Sequence, residues 1–223
     1  TIIVLALGAL IGYINGFVII KIGMNPLLAT LGMMIMLRGL SLILTSGQTL
    51  FGLPPAFRIW GATQLGGRVP LPAVLMLVCY AVAFIVLKYR RYGRELYAVG
   101  GNREAAVVSG IDADRISIIA YVVSGLLASF GGIILAGRMN SAQILAGQGM
   151  ELNVIAACVI GGISLAGGIG SIIGALGGVL LLGVIDNGLN LLNVSSFWIQ
   201  FSKGLIIFLA VLVNTLKNRM KQS

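Results

Sequence analysis

The sequence has little charge and no histidine. Charged residues make up 9% of the 223 positions, against about 25% in a typical soluble domain. Hydrophobic residues make up 58% and come in long runs, so this composition suits lipid rather than water as the solvent. Without histidine, imidazole base catalysis and histidine-ligated metal are excluded. No serine or aspartate pair is placed for catalysis either, so an intramembrane enzyme is disfavoured, and no catalytic or metal site is predicted.

Three further absences narrow the function. The two cysteines, Cys79 and Cys158, each lie inside an apolar run and imply no disulfide framework. No G-x-x-x-x-G-K-[ST] motif is present, so we expect this chain to bind no cofactor, and any ATP that drives it to sit on a partner subunit. The net charge of +9 does not indicate a nucleic-acid partner, because the basic residues gather at the ends of apolar runs.

Seven apolar segments predict an all-α fold, a polytopic transmembrane helical bundle in a lipid bilayer. They cover residues 1–20, 26–45, 69–87, 116–136, 152–165, 169–185 and 197–213. The fifth and sixth form one stretch that Gly167, Gly168 and Gly170 break, since glycine frees the backbone for a turn. The fifth segment has 14 residues. That is short against the roughly 20 that a crossing needs, so a re-entrant segment is the alternative.

Basic residues divide unevenly between the loops on the two sides. One set of loops holds ten and the other three. The first set is Lys21, Lys88, Arg90, Arg91, Arg94, Arg103, Arg115, Lys217, Arg219 and Lys221, and the second is Arg58, Arg68 and Arg138. The positive-inside rule places the first set and the C-terminus in the cytoplasm. A re-entrant fifth segment would put the last three basic residues outside, so seven crossings are favoured.

The chain begins at Thr1 and enters an apolar run at once. It shows neither the basic n-region nor the cleavage site of a signal peptide. We therefore expect one transmembrane domain over residues 1–223 that lacks its natural N-terminus.

The one charge-dense region, residues 88–115, separates the third and fourth segments and is here called the coupling segment. On a helix, Ala105, Val108 and Ser109 would share one face, while the charged pair before Ala105 would stay accessible. A short helix that ends at Gly110 suits docking into a groove on a partner protein. The alternative is a solvated loop that only sets the topology.

This segment carries a resemblance to a known family. The run Glu104-Ala105-Ala106, followed after three residues by Gly110, resembles the EAA…G loop of permeases of ATP-binding-cassette importers. The string GGNREAAVVSGI, together with AACVIGGISLAGGIGSIIGALGG (156–178) and DNGLNLLNVSS (186–196), is similar to the ribose/simple-sugar permease family. The resemblance covers nearly the whole chain, although the family's earlier helices, with their TSGIDLS-type segment, have no counterpart in it.

The resemblance implies a homo- or heterodimeric permease of about ten membrane-spanning helices in the bacterial cytoplasmic membrane. It implies a path for a monosaccharide such as ribose, a cytoplasmic ATPase docked on the EAA-type loop, and a periplasmic or surface binding protein that delivers the solute. The residues it assigns to ATPase coupling are Gly101, Asn102, Arg103, Glu104, Ala105, Ala106 and Gly110. Ribose, another monosaccharide and a sugar-like furanone all fit.

Polar groups in or near the spans are candidates for the solute path. Arg38 lies near the middle of its span, where a charge costs at least a few kcal/mol unless it is paired or hydrated. We therefore expect it to face the protein interior, with Glu151 and Asp186 as possible partners. Four amides near the outer boundary could bind sugar hydroxyls or could bond and cap neighbouring helices. They are Asn153, Asn187, Asn190 and Asn193, and the first three are the candidates for the solute path.

Small residues in the sixth segment predict close helix packing. Gly170, Gly174 and Gly178 fall at four-residue spacing on one helix face. Packing within the subunit is favoured over a gating or dimer role.

A self-sufficient secondary transporter or channel for a small polar solute is the competing hypothesis, because glycine-broken helices with charges near the midplane occur there too. The EAA…G loop separates the two hypotheses, since a self-sufficient carrier has no reason to present it.

Overall fold

The computed structural model describes residues 1–195, 197–202, 204–206 and 208. In this part of the chain, the protein is built from helices with four two-residue strands between them. The α-helices are α1 (Ile2–Phe17), α2 (Pro26–Thr45), α3 (Pro55–Ala62), α4 (Leu71–Tyr89), α5 (Arg91–Gly101), α6 (Arg103–Val108), α7 (Ala113–Met139), α8 (Met150–Ile160) and α9 (Ile172–Leu191). The strands are β1 (Leu50–Phe51), β2 (Gln64–Leu65), β3 (Val69–Pro70) and β4 (Ser141–Ala142). A π-helical turn, Val18–Ile22, continues α1.

Five of the described helices are long and apolar enough to cross a membrane. They are α1 with its π-helical turn, α2, α4, α7 and α9. These helices match the first, second, third, fourth and sixth predicted segments, so the all-α polytopic fold is confirmed. With 11 residues, α8 is shorter than a full crossing, and the fifth crossing stays a prediction. The seventh segment lies partly outside the described residues, as do Lys203 and the basic residues after it, and its described residues are helical.

Capping side chains define where three of the helices begin. Asn25, Asp112 and Ser171 precede α2, α7 and α9. The side-chain oxygen of each accepts a hydrogen bond from a backbone N–H in the first turn at 3.0 Å. Such caps satisfy donors that have no partner within the helix. Proline at the first position of α2 adds to this, because that position needs no N–H.

The chain forms two compact units. The first contains residues 1–81 and 104–146, and the second contains residues 82–103 together with the part that begins at residue 147. The boundaries fall inside α4 and at the start of α6. A single domain over residues 1–223 stays a prediction.

In the first unit, α1 packs antiparallel against α7 along a line of buried glycines. These are Gly8, Gly12 and Gly16. A Cβ on Gly12 would lie 2.9 Å from the Cα of Val122, and one on Gly16 would lie 3.1 Å from the Cβ of Tyr121. Close backbone approach therefore holds these two helices together. The sequence analysis missed this ladder, although its four-residue spacing was the available signal.

The loops of the first unit separate to opposite ends of α7. At the start of α7, Lys21 Nζ and Asp114 Oδ2 form an ion pair at 2.6 Å. At the other end, a Cβ on Gly137 would lie 3.1 Å from the backbone nitrogen of Gly61 in α3, and β1 pairs antiparallel with β4. Residues from the predicted cytoplasmic loops thus lie at one end of α7 and those from the predicted outer loops at the other.

In the second unit, α8 packs antiparallel against α9, and residues 161–171 connect them. This stretch is called the α8–α9 connection. Ala156 and Ala157 are almost without solvent exposure, at 1% and 2%, and Ala157 lies against Gly178 of α9. The small side chains on both helices explain how the backbones come close enough to touch.

Candidate functional site

The coupling segment folds into two helices joined by one residue. Asn102 separates α5 from α6 in an extended conformation, with φ −154° and ψ 104°. Its backbone N–H donates to the carbonyl oxygen of Ala98 at 3.0 Å. The predicted short helix is therefore α6, and one residue separates it from α5 along the chain.

The surface of α6 is mostly open. Ala106 is 4% exposed, whereas Val107 and Val108 are 54% and 89% exposed. The neighbouring Ala105 is exposed too, as are the charged pair before it and the serine that follows Val108. The two alanines of the EAA run therefore differ, since one is packed inside the protein and the other faces outward. An apolar strip outside the predicted spans is thus left uncovered in this chain.

Gly110 ends α6 in the manner expected of a glycine stop. The N–H of Gly110 donates to Val107 O at 2.9 Å, and the N–H of Ile111 donates to Ala106 O at 3.0 Å. These two bonds are the Schellman pattern of a helix C-terminus. Gly110 has φ +80°, and a Cβ there would meet no atom within 4 Å. The requirement for glycine is therefore conformational rather than steric.

The C-terminal half of α5 is fixed to the α8–α9 connection. The Tyr97 hydroxyl donates a hydrogen bond to Gly170 O at 3.0 Å in a partly buried position. A Cβ on Gly100 would lie 2.7 Å from the backbone nitrogen of Gly168, and one on Gly168 would lie 2.6 Å from the Cα of Gly101. Backbone thus touches backbone, and no side chain larger than hydrogen fits between them.

The electrostatics of α5 are modest. Arg91 Nε and Glu95 Oε1 form an ion pair one helical turn apart at 2.6 Å, but the arginine side chain is 84% exposed, so the pair contributes little. Burial raises the pKa of the Tyr92 phenol above its ordinary value of 10.0. Within the described residues, no group of three or more cysteine, aspartate or glutamate side chains could hold a metal ion.

An apolar cleft of about 380 Å³ borders the Tyr97 contact. Phe84, Leu87, Lys88, Tyr97 and residues 170–173 line it. The ammonium of Lys88 lies 5.1 Å from the centre of the Phe84 ring, within the range of a cation–π interaction. The Tyr97 ring therefore has open space on one side and the hydrogen bond to Gly170 at its hydroxyl.

The candidate solute-path amides lie at one end of the α8–α9 pair. Asn153 is half-buried in the first turn of α8, and Asn187 and Asn190 are exposed near the end of α9. Asn190 Nδ2 donates to the backbone oxygen of Asp186 at 2.7 Å, so part of this amide is already engaged. Among the residues described, no hydrogen bond joins the three amides to one another.

Arg38 lies in α2 and is half-buried. It belongs to the first unit, whereas the three amides, Glu151 and Asp186 belong to the second. In the described part of the chain, no ion pair includes Arg38. Its role in a solute path, and its pairing with either carboxylate, stay predictions.

Two of the three predicted packing glycines lie against α8. A Cβ on Gly174 would lie 3.2 Å from the carbonyl carbon of Gly161, and one on Gly178 would lie 2.9 Å from that of Ala157. Gly170 differs, because it lies before Ser171, the N-cap of α9, and so is not on the helix. Placing it on the helix face was wrong, since the helix begins two residues after it.

These features define a multi-pass α-helical membrane protein with an exposed helical segment between two of its spans. The family model described as branched-chain amino acid transport system / permease component matches residues 1–213, and the chain belongs to this family. The resemblance to the simple-sugar permeases is confirmed by the relatives below.

The chain is 45% identical to the ribose import permease protein RbsC of Escherichia coli (strain K12), over 96% of this chain and 67% of that protein. It is 43% identical to RbsC of Bacillus subtilis (strain 168), over 92% of this chain and 64% of that protein. It is 41% identical to the L-arabinose transport system permease protein AraH of Escherichia coli (strain K12), over 94% of this chain and 64% of that protein. The chain therefore spans about two thirds of the length of these relatives. No solved structure matches it.

Proposed function

We propose that this chain is the permease subunit of an ATP-binding-cassette importer and forms part of the translocation path for a monosaccharide such as ribose. The observation that carries the proposal is the exposed apolar strip of α6, with Val108 89% exposed next to the buried Ala106. Apolar side chains left open outside the membrane spans favour a protein partner. The similarity to ribose and L-arabinose permeases supports a sugar as the solute.

The partner that fits α6 is a cytoplasmic ATPase. The residues proposed to form its docking site are Gly101, Asn102, Arg103, Glu104, Ala105, Ala106 and Gly110, with Val107 and Val108 added from the structure. The ATPase holds the nucleotide and hydrolyses it, and this chain binds no cofactor. A periplasmic or surface binding protein delivers the solute, and a second permease subunit completes the path.

The proposed location is the bacterial cytoplasmic membrane, with the coupling segment and the C-terminus in the cytoplasm. The contact of α5 with the α8–α9 connection supports this, because it puts the connection on the same side as α5. From there α9, with 20 residues, is long enough to reach the opposite side. This arrangement favours seven crossings over a re-entrant fifth segment.

The proposed solute path includes Arg38 and the amides Asn153, Asn187 and Asn190. Amides can donate and accept at once, which matches the hydroxyl groups of a sugar. Asn187 is exposed in this chain, and Asn153 is half-buried in α8.

The test is recovery of the ATPase on the full-length permease, together with ATP-dependent ribose uptake into proteoliposomes that contain the binding protein. We expect Val108→Glu to lower ATPase recovery about tenfold or more, because a carboxylate in the docked surface must be desolvated. Val69→Glu is the matched control, since Val69 is an exposed valine, at 46%, in strand β3, at the end of the third segment that is predicted to face outside. Ribose uptake without any ATPase would instead support the self-sufficient transporter.

A further inference from the structure

We propose that the contact between α5 and the α8–α9 connection passes movement of the coupling segment to α8 and α9, and that Tyr97 is the positioning residue of this joint. The inference rests on the proposed function, since it needs an ATPase that moves the coupling segment. The inference goes beyond the proposed function by naming the contact through which the movement reaches α8 and α9.

The contact is suited to passing on displacement because it is made of backbone. A Cβ on Gly168 would lie 2.6 Å from the Cα of Gly101 and 2.7 Å from its nitrogen. A Cβ on Gly100 would lie 2.7 Å from the nitrogen of Gly168. Packed backbone segments deform little, whereas a contact between long side chains could absorb a shift by changing rotamers.

On the side proposed to bind the ATPase, the contact is close in sequence to α6. The contacting glycines end α5, and only Asn102 separates them from α6, the proposed docking helix. The bond from Asn102 N–H to Ala98 O ties this residue to the last turn of α5. The proposed docking helix is thus connected to Gly101 along the chain by one residue.

The α8–α9 connection is likewise held together internally. Ile163 N–H donates to Cys158 O at 2.9 Å, and Ser164 N–H donates to Ile169 O at 2.9 Å. These bonds link the connection to α8 and close it on itself. Gly170, the acceptor of the Tyr97 hydrogen bond, is followed directly by Ser171, which caps α9. Movement of the connection thus acts on the ends of both helices.

Tyr97 sets the position of α5 on the connection. Its hydroxyl links the two by a hydrogen bond, and its ring borders the open cleft described above. Without the hydrogen bond, the ring can move into that space, so α5 can shift before α9 is pulled. We therefore expect loss of the hydroxyl to loosen coupling rather than to release the ATPase.

The experiment compares variants of the full-length permease reconstituted with its ATPase and binding protein. We expect Tyr97→Phe to lower the ribose imported per ATP hydrolysed about two- to tenfold, the factor that matches the net strength of one hydrogen bond. ATPase recovery should stay at the wild-type level, and the thermal midpoint should fall by no more than the loss of this one hydrogen bond explains. Tyr89→Phe is the control, because it is the same chemical change at a residue that is 62% exposed.

A second pair of variants tests the glycine contact by comparing two glycines that have similar positive φ angles, so that an added Cβ strains the backbone equally at both. Gly168 has φ +73° and Gly162 has φ +80°, but a Cβ on Gly162 would meet no atom within 4 Å. Gly168→Ala should lower the import-to-ATP ratio and Gly162→Ala should not. An unchanged ratio in both Tyr97→Phe and Gly168→Ala overturns the inference, as does a loss of ATPase recovery in Tyr97→Phe. If the wild-type permease recovers no ATPase, the proposed function fails and the inference falls with it.

Discussion

Lys21 and Asp114 form an ion pair at 2.6 Å between the turn that follows α1 and the first turn of α7. Their side chains are 50% and 37% exposed, so the pair contributes only about 0–1 kcal/mol. Its value is positional, because it shows that the turn after α1 and the start of α7 meet at the same end of the first unit.

The first prediction concerns the side of the membrane on which each loop lies. Lys21→Cys and Gly101→Cys should react with an impermeant thiol reagent only from the cytoplasmic side, and Arg68→Cys only from outside, because basic loops stay inside. The new cysteines are introduced into a variant from which Cys79 and Cys158 have been removed. Arg68 is exposed, unlike the buried Gly61 of the same outer loop. Lys217→Cys, outside the described residues, should label from the cytoplasm, and outside labelling would favour a re-entrant fifth segment.

The second prediction concerns the packing of α1 on α7. Gly12→Ala should destabilise the protein by about 1–3 kcal/mol, because overpacking at a tight contact forces the backbones apart. A Cβ there would lie 2.9 Å from the Cα of Val122. The measurement is the thermal midpoint in detergent. Gly39→Ala in α2 is the control, since its Cβ would meet no atom within 4 Å. An equal effect of the two variants would show that the line of glycines is not a packing contact.

The third prediction concerns the turn that ends α6. Gly110→Val should sharply reduce ATPase recovery, because a β-branched residue is strained at φ +80°. Gly110→Asn should retain most of it, since asparagine tolerates the left-handed conformation. Gly23→Val is the matched control, with φ +82° and open space around its Cβ. Loss of recovery in Gly23→Val to the same extent would mean that general strain, and not the turn after α6, is responsible.

The fourth prediction concerns alkaline pH. Burial raises the pKa of Tyr92 above 10.0, so the folded protein keeps this proton to a higher pH than the unfolded chain does. This contribution to stability is complete below the unfolded pKa and declines as the pH rises through the folded pKa. Tyr92→Phe should therefore lose less stability than wild type between pH about 9 and about 11. Parallel stability curves for Tyr92→Phe and wild type would contradict the prediction.

Most of the fold could be predicted from the long apolar runs and from the proline and glycine residues at helix ends. Pro26 begins α2 and Gly110 ends α6 where the sequence places them, because both residues act on the backbone of their own turn. Outside such local signals, the sequence was less informative. The outer stretch 46–68 contains α3, and a small hairpin of β2 and β3 extends from it to Pro70, into the third predicted segment; no apolar run predicts either feature.

Contacts between distant segments were not predictable from one sequence. Tyr97 and Gly170 are 73 positions apart, and neither residue type signals the other. The pattern also treated Ala105 and Ala106 as alike, whereas only Ala106 is buried, because burial depends on what packs against each face. The glycines of α1 show the reverse case, in which the spacing was visible but the partner helix was not.

The π-helical turn Val18–Ile22 has an evolutionary consequence. Such a turn accommodates about one residue more than a turn of α-helix, and it does so without changing the direction that the flanking residues face. It therefore has the form of a single-residue insertion absorbed inside a helix. A homologue one residue shorter here would close the turn as regular α-helix and still present a lysine to the start of α7. We therefore expect one-residue deletions in this family to be tolerated at this turn. We do not expect them within the line of glycines that precedes it.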